Sequence, residues 1–254
     1  VTQVPNAISL ECVTFSYSGS VKPSLIEVSL SIPSGATVAI VGRNGSGKST
    51  LLKLICGLYQ PTQGTIRLFG RRLSDLTNQD IWNTVSIMFQ DPPRYELPLR
   101  DGVGFGKLSH IRDDEYLMMC IEKAGLKISK FGDRGLDARL GKRFTGGLEL
   151  SGGEWQKLAL ARTFARDAKL VLLDEPTANI DPLSEQTFYN HMTDLMIGKT
   201  SLVVSHRFNT VRHADRIVVM DEGSLVESGS HDELMSKEGL YHRMFTAQRN
   251  RFVD

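Results

Sequence analysis

The spacing of apolar residues along this chain changes several times, and each change marks an element. From Ile8 to Tyr17 apolar and polar residues alternate, which predicts a half-buried strand closed by Gly19. Leu25 to Ile32 alternates again and stops at Pro33-Ser34-Gly35. Val38-Ala39-Ile40-Val41 is instead a continuous apolar run into Gly42, as in a buried strand feeding a glycine loop. After Lys48 the period becomes helical: Leu51, Leu54, Ile55 and Leu58 share one face, and Gly57 is the expected C-terminal stop. Thr65 to Phe69 reads as a strand turned by Gly70. From about Pro92 to Arg166 strand signals weaken and helices are expected, at Glu115 to Ala124 and Glu154 to Ala165. Leu170 to Leu173 is then a buried strand and Ser184 to Met196 a helix. Ser201 to Ser205 and Ile217 to Met220 are strands, the latter returning through Asp221-Glu222-Gly223-Ser224 as a hairpin over Leu225 to Glu227. Ser230 and Glu233 have capping-box spacing and open a C-terminal helix. Arg207 to Asp215 also reads as helical, with no chemistry assigned to it. The order implies one α/β domain over 1–254: a core at 1–91 and 166–254, interrupted at 92–165 by a mostly helical insertion.

Composition narrows the setting. Of 254 residues 41% are hydrophobic and 23% charged, an ordinary globular balance. Lys+Arg number 30 and Asp+Glu 29, so a basic surface for nucleic acid is not expected. No apolar run is long enough to span a bilayer and no secretory signal opens the chain, so membrane association is expected through a partner or a further segment. Cys12, Cys56 and Cys120 are odd in number and widely spaced. They suit packing residues in a reducing compartment better than a disulfide framework or a metal site.

Two short stretches carry the chemistry. Gly42-Arg43-Asn44-Gly45-Ser46-Gly47-Lys48-Ser49-Thr50 fits the Gly-x-x-x-x-Gly-Lys-Ser phosphate loop in full. Its glycines let backbone N–H groups approach phosphate oxygens, Lys48 reaches the β and γ phosphates, and Ser49 ligates Mg²⁺. Leu170-Val171-Leu172-Leu173 ends in Asp174-Glu175. A carboxylate at the end of a buried strand is placed to hold Mg²⁺, so Asp174 is assigned to the metal. On an extended strand Glu175 would point the opposite way, and it is assigned to the attacking water as general base. Leu150-Ser151-Gly152-Gly153-Glu154 offers a second anion site, with Ser151 as helix N-cap, and Ser151 with Glu154 also fits a capping box.

In this combination the chain resembles the nucleotide-binding domain of an ATP-binding cassette (ABC) transporter, from Ile8 to about Phe245. The resemblance implies a P-loop nucleotide hydrolase core with an antiparallel β subdomain and an inserted helical subdomain. It implies ATP and Mg²⁺ as cofactors. It makes Ser151, Gly152 and Gly153 the signature that contacts a nucleotide held by the phosphate loop of a second such domain. Tyr17 resembles the aromatic that stacks on adenine, Gln90 the glutamine that senses metal and water, and His206 the switch histidine at the γ-phosphate. Asn179-Ile180-Asp181 occupies the D-loop, where the family more often reads Ala-Leu-Asp; Asp181 is kept. The family more often has Gln where this chain has Glu154. The remaining histidines, His110, His191, His213, His231 and His242, read as surface or packing residues.

Leu140-Gly141-Lys142-Arg143-Phe144-Thr145-Gly146-Gly147 before the signature resembles exporter-type cassettes, as does the run from Gln90 to Asp101. Bacterial exporters of peptides and lantibiotic-like products resemble it most. The resemblance implies transmembrane domains and a second nucleotide-binding domain as partners, at the cytoplasmic face of a bacterial inner membrane, with this chain soluble as an excised domain. A separate-chain importer ATPase and a non-hydrolysing regulatory cassette stay open. A soluble ATP-driven clamp would need long heptads or a paired cassette with a basic linker, and the sequence has neither.

Overall fold

The computed structural model describes residues 5–143, 145–178, 180–207 and 211–250. The chain falls into two compact units. One comprises Val1–Val85, Lys169–Glu175 and Gly198–Asp254; the other Ser86–Ala168 and Pro176–Ile197.

The first unit opens with β1 (Asn6–Phe15), β2 (Leu25–Pro33) and β3 (Thr37–Gly42), then α1 (Lys48–Ile55), β4 (Gln63–Leu68), β5 (Arg71–Arg72) and α2 (Asn78–Thr84). The alternation of β1 and β2 has the expected outcome. They pair antiparallel in a sheet ordered β2-β1-β4-β5, with one face buried. β3 is buried on both faces, as its continuous apolar run requires. β6 (Val85–Met88) carries the chain into the second unit, where α3 (Leu99–Gly104), α4 (Asp114–Lys123) and α5 (Gly152–Arg166) follow. β7 (Leu170–Asp174) returns to the first unit, and α6 (Pro182–Met196) belongs to the second. β8 (Thr200–Val204), β9 (Arg216–Asp221), β10 (Ser224–Gly229), α7 (His231–Ser236) and α8 (Leu240–Asn250) complete the first.

Within the first unit β10, β9, β3, β8 and β7 are neighbours in that order. β3, β8, β9 and β7 run parallel, and β10 returns antiparallel on β9 as the hairpin expected from Asp221 to Ser224. The C-terminal ends of β3, β7 and β8 therefore lie side by side, where ligands gather in parallel α/β sheets. Behind them Ala39, Val41, Ile217, Val219, Leu234 and Tyr241 form a buried cluster under the C-terminal helices.

Two sequence expectations are corrected. α1 ends at Ile55, and Leu58 lies beyond it, 57% exposed, instead of on the buried face. The reason is a Schellman stop: Gly57 at φ +76° lets its N–H reach Leu54 O and the Leu58 N–H reach Lys53 O. The C-terminal helix is two helices, broken between Ser236 and Leu240. Of the segment Arg207 to Asp215, residues 208–210 lie outside the described residues.

In the second unit the expected helices are present as α4, α5 and α6. Arg162 on α5 donates from Nε to Gly102 O at 2.8 Å and stacks over the Tyr95 ring at 4.7 Å. Tyr116 donates to Ala165 O at 2.7 Å, tying α4 to the end of α5. Asp181 accepts from the Ser184 N–H at 3.0 Å, which caps α6. Asn179 lies outside the described residues.

Candidate active site

The phosphate loop is shaped by two glycines that no other residue could replace without strain. Gly42 has φ +154°, and a Cβ there would lie 2.2 Å from Met220 O. Gly47 has φ +99°, and a Cβ there would lie 2.7 Å from both Ser24 O and Leu25 Cδ2. Gly47 is also the N-cap of α1, with no side-chain cap and no acidic residue in the first turn. By contrast α2, α5 and α7 each carry a reciprocal capping box. The first N–H groups of α1 thus have neither an intrahelical acceptor nor a capping oxygen, which suits an anion. Arg43, Asn44 and Gly45 are exposed at the tip of the loop. Ser46 is 3% exposed and its Oγ has no hydrogen-bond partner. A buried orphan hydroxyl beside such a loop fits a phosphate oxygen.

Lys48 is 6% exposed, and its ammonium donates to Gly42 O at 2.9 Å and Arg43 O at 2.8 Å. Burial lowers its pKa below the ordinary lysine value, opposed by the Glu175 and Asp174 carboxylates. Ser49 donates from Oγ to Asp174 Oδ1 at 3.1 Å, across 125 positions of sequence. Tyr17 is half-buried, its hydroxyl 3.2 Å from Thr50 Oγ1 and its ring edge-on to Phe15 and Tyr59. The same tyrosine therefore packs an aromatic cluster and touches the helix that begins at the phosphate loop.

Asp174 ends β7 and is 3% exposed. Burial raises its pKa, with the Ser49 hydrogen bond pulling the other way and the Glu175 charge adding to the rise. A bound cation would relieve that penalty. Hard oxygens from Ser49 and Asp174 fit Mg²⁺, which takes few protein ligands and fills the rest with phosphate and water. Among the described residues no cluster of three or more His, Cys, Asp or Glu could hold a metal by itself. The carboxylate is disfavoured in the folded chain at neutral pH, so Asp174→Asn should melt at or above the parent temperature without nucleotide. It should lose most of the extra stability that Mg-ATP gives the parent. Thermal unfolding with and without Mg-ATP measures both.

Glu175 departs from the strand geometry expected of it. Its φ is +44°, in the left-handed region, so the alternation of an extended strand does not aim its side chain. Its N–H still donates to Val204 O at 2.9 Å, which sets the residue beside the end of β8. There the His206 Nδ1–H donates to Glu175 Oε2 at 3.2 Å. That hydrogen bond holds the Glu175 carboxyl below the usual carboxylate range, against the opposing effect of burial. Asp174 and Glu175 thus have different partners, but a turn separates them and not a pleat. The sequence alone did not reveal the Glu175–His206 pair; its signal is that Glu175 and His206 closely follow the neighbouring strands β7 and β8.

The other sequence-assigned residues belong to the second unit. Gln90 is exposed shortly after β6. Ser151 is the N-cap of α5; its N–H donates to Glu154 Oε2 at 2.8 Å, and the Glu154 N–H donates to Ser151 Oγ at 3.3 Å. Gly152 and Gly153 form the first turn of α5, where N–H groups lack intrahelical acceptors.

Residues 25–178 match the sequence model of the ABC transporter family. The nisin transport ATP-binding protein NisT of Lactococcus lactis subsp. lactis is 39% identical over 93% of this chain and 40% of its own length. The ATP-dependent lipid A-core flippase of Sodalis glossinidius (strain morsitans) is 38% identical over 98% of the chain and 42% of its own length. A solved bacterial Atm1-family ABC exporter with ATP bound superposes with a TM-score of 0.86 at 29% identity, over 98% of this chain and 43% of that one. The chain thus spans about two fifths of these relatives' length. No helix among the described residues is long and apolar enough to cross a membrane. The family match over more than half of the chain and these relatives show that the chain belongs to the ABC transporter family, as its ATPase domain.

Proposed function

We propose that this domain binds Mg-ATP and closes face to face on a second nucleotide-binding domain, and that closure and hydrolysis drive export through transmembrane domains at the cytoplasmic face of a bacterial membrane. The observation that carries this reading is the convergence of Lys48, Ser49–Asp174 and Glu175–His206 at one end of the parallel sheet. Lys48 and the uncapped start of α1 bind the β and γ phosphates. Ser49 and Asp174 hold Mg²⁺, which when bound draws charge from the phosphate oxygens. Glu175, ionised at neutral pH, accepts a hydrogen bond from the attacking water and takes its proton as the water oxygen bonds to the γ-phosphorus. The bond to the β-phosphate oxygen breaks, giving ADP and phosphate. His206 orients Glu175 through Nδ1 and keeps Nε2 for the γ-phosphate or the water. Tyr17 stacks on adenine, and Gln90 reports metal and water to the membrane partner. Ser151, Gly152 and Gly153 receive the γ-phosphate held by the second domain, with Asp181 at the same junction. In this reading the helical subdomain is the insertion 92–165.

The lantibiotic transporters and flippases among the relatives favour export over import. If two chains share each nucleotide, ATPase activity per chain rises with protein concentration until pairing saturates. A specific activity independent of concentration across the dilute range would argue for a self-sufficient monomer.

A further inference from the structure

The carboxylate of Glu154 is held at both oxygens. Oε2 takes the Ser151 N–H, closing the capping box, and Oε1 takes the ammonium of Lys130. Lys130 comes from the 3-10 segment Ile128–Asp137, which precedes α5 in the same unit. The pair is partly sheltered, with side-chain exposures of 41% for Lys130 and 23% for Glu154. It lines a cavity of about 300 Å³ to which Lys127 and Lys157 also contribute. Burial works to raise the Glu154 carboxyl, but the bonds from Lys130 and Ser151 outweigh it and keep the group ionised.

This arrangement answers an electrostatic conflict. A carboxylate in the first turn of a helix steadies the turn by the same dipole and N–H groups that bind an incoming anion. Its charge then repels that anion. A neutral glutamine at this place could close the same box without the charge. With glutamate, the box stays compatible with a phosphate only if a fixed cation offsets the carboxylate. Lys130 is that cation.

We propose that Lys130 is a positioning residue for the Ser151-Gly152-Gly153 turn: by binding Glu154 it fixes the cap and cancels the charge that would oppose the phosphate brought by the second chain. This rests on the reading above, in which that turn receives the nucleotide of a paired domain. Two such ion pairs act in one dimer. Since the dimer also takes up two ATP, the ordinary strength of one partly exposed pair sets the shift for each ATP, and their loss raises the ATP needed for pairing about twofold to fivefold.

The test uses residues 1–254 carrying Glu175→Gln, and reads by light scattering the ATP concentration that gives half-maximal dimer. Lys130→Met should raise that concentration about twofold to fivefold, and Lys130→Arg should raise it less. Lys130→Met combined with Glu154→Gln should return it to within about twofold of Glu154→Gln alone, because the charge needing an offset is gone. A purely structural role for Lys130 would leave the double variant as impaired as Lys130→Met. That result, or a Lys130→Met chain that pairs at the parental ATP concentration, overturns the proposal. If the Glu175→Gln parent itself never pairs, the pairing reading fails and takes this inference with it; the parent alone tells the two failures apart.

Discussion

Replacing Glu175 by Gln is expected to stop hydrolysis while leaving ATP bound. The carboxylate is ionised at neutral pH and receives His206 through one oxygen, leaving the other to take a proton from water. Gln keeps the shape and the hydrogen-bond reach but cannot accept that proton. General-base catalysis contributes roughly 10²- to 10⁴-fold, so kcat should fall by about that factor. ATP affinity should stay within about twofold, because no phosphate contact is assigned to this side chain. Steady-state phosphate release and equilibrium ATP binding separate the two quantities. A variant that retains parental turnover would remove Glu175 from the mechanism and leave His206 without its partner.

Lys48→Ala acts at binding. The ammonium is buried and already desolvated, so it meets a phosphate without paying that penalty again. Hydrogen bonds from a charged donor contribute about 1.5–3 kcal/mol each, and losing one should weaken ATP binding about 10- to 100-fold. Turnover should fall further, since the same charge is needed where negative charge builds during phosphoryl transfer. The fold should survive: the partners left behind, Gly42 O and Arg43 O, are backbone carbonyls that water can reach once the side chain is gone. Circular dichroism unchanged from the parent, with ATP affinity lowered, is the expected pair of results. Unaltered affinity would mean that the loop holds nucleotide by its backbone alone.

Much of this site is legible in the sequence because its chemistry is local. The phosphate loop is a contiguous run whose glycines are forced by close backbone approach, as Gly42 and Gly47 show. The apolar runs of β3 and β7 announce buried parallel strands, and the carboxylates follow directly. The capping boxes at Ser151 and Ser230 are also local and are present as read. What stayed hidden depends on tertiary placement. The Ser49–Asp174 bond and the Glu175–His206 pair exist because β3, β8 and β7 are neighbours, which no local pattern encodes. The left-handed backbone of Glu175 could not be foreseen, since glutamate has no preference for it. α2 carries a weak sequence signal because its box uses Thr77 with Asp80, a shorter acid than the usual glutamate or glutamine. The Lys130–Glu154 pair joins a helix cap to a 3-10 segment bent at Gly132 and Gly135, and the segment has no periodicity to read.

The Glu154 ion pair and the Glu175 site meet in one expectation: that ATP joins two copies of this domain and hydrolysis lets them part. The direct measurement is the solution mass of the Glu175→Gln chain by light scattering, with and without Mg-ATP. A 28.2 kDa monomer that doubles only when Mg-ATP is added is the predicted result. An unchanged monomer mass at saturating Mg-ATP, with binding shown on the same sample, would contradict it.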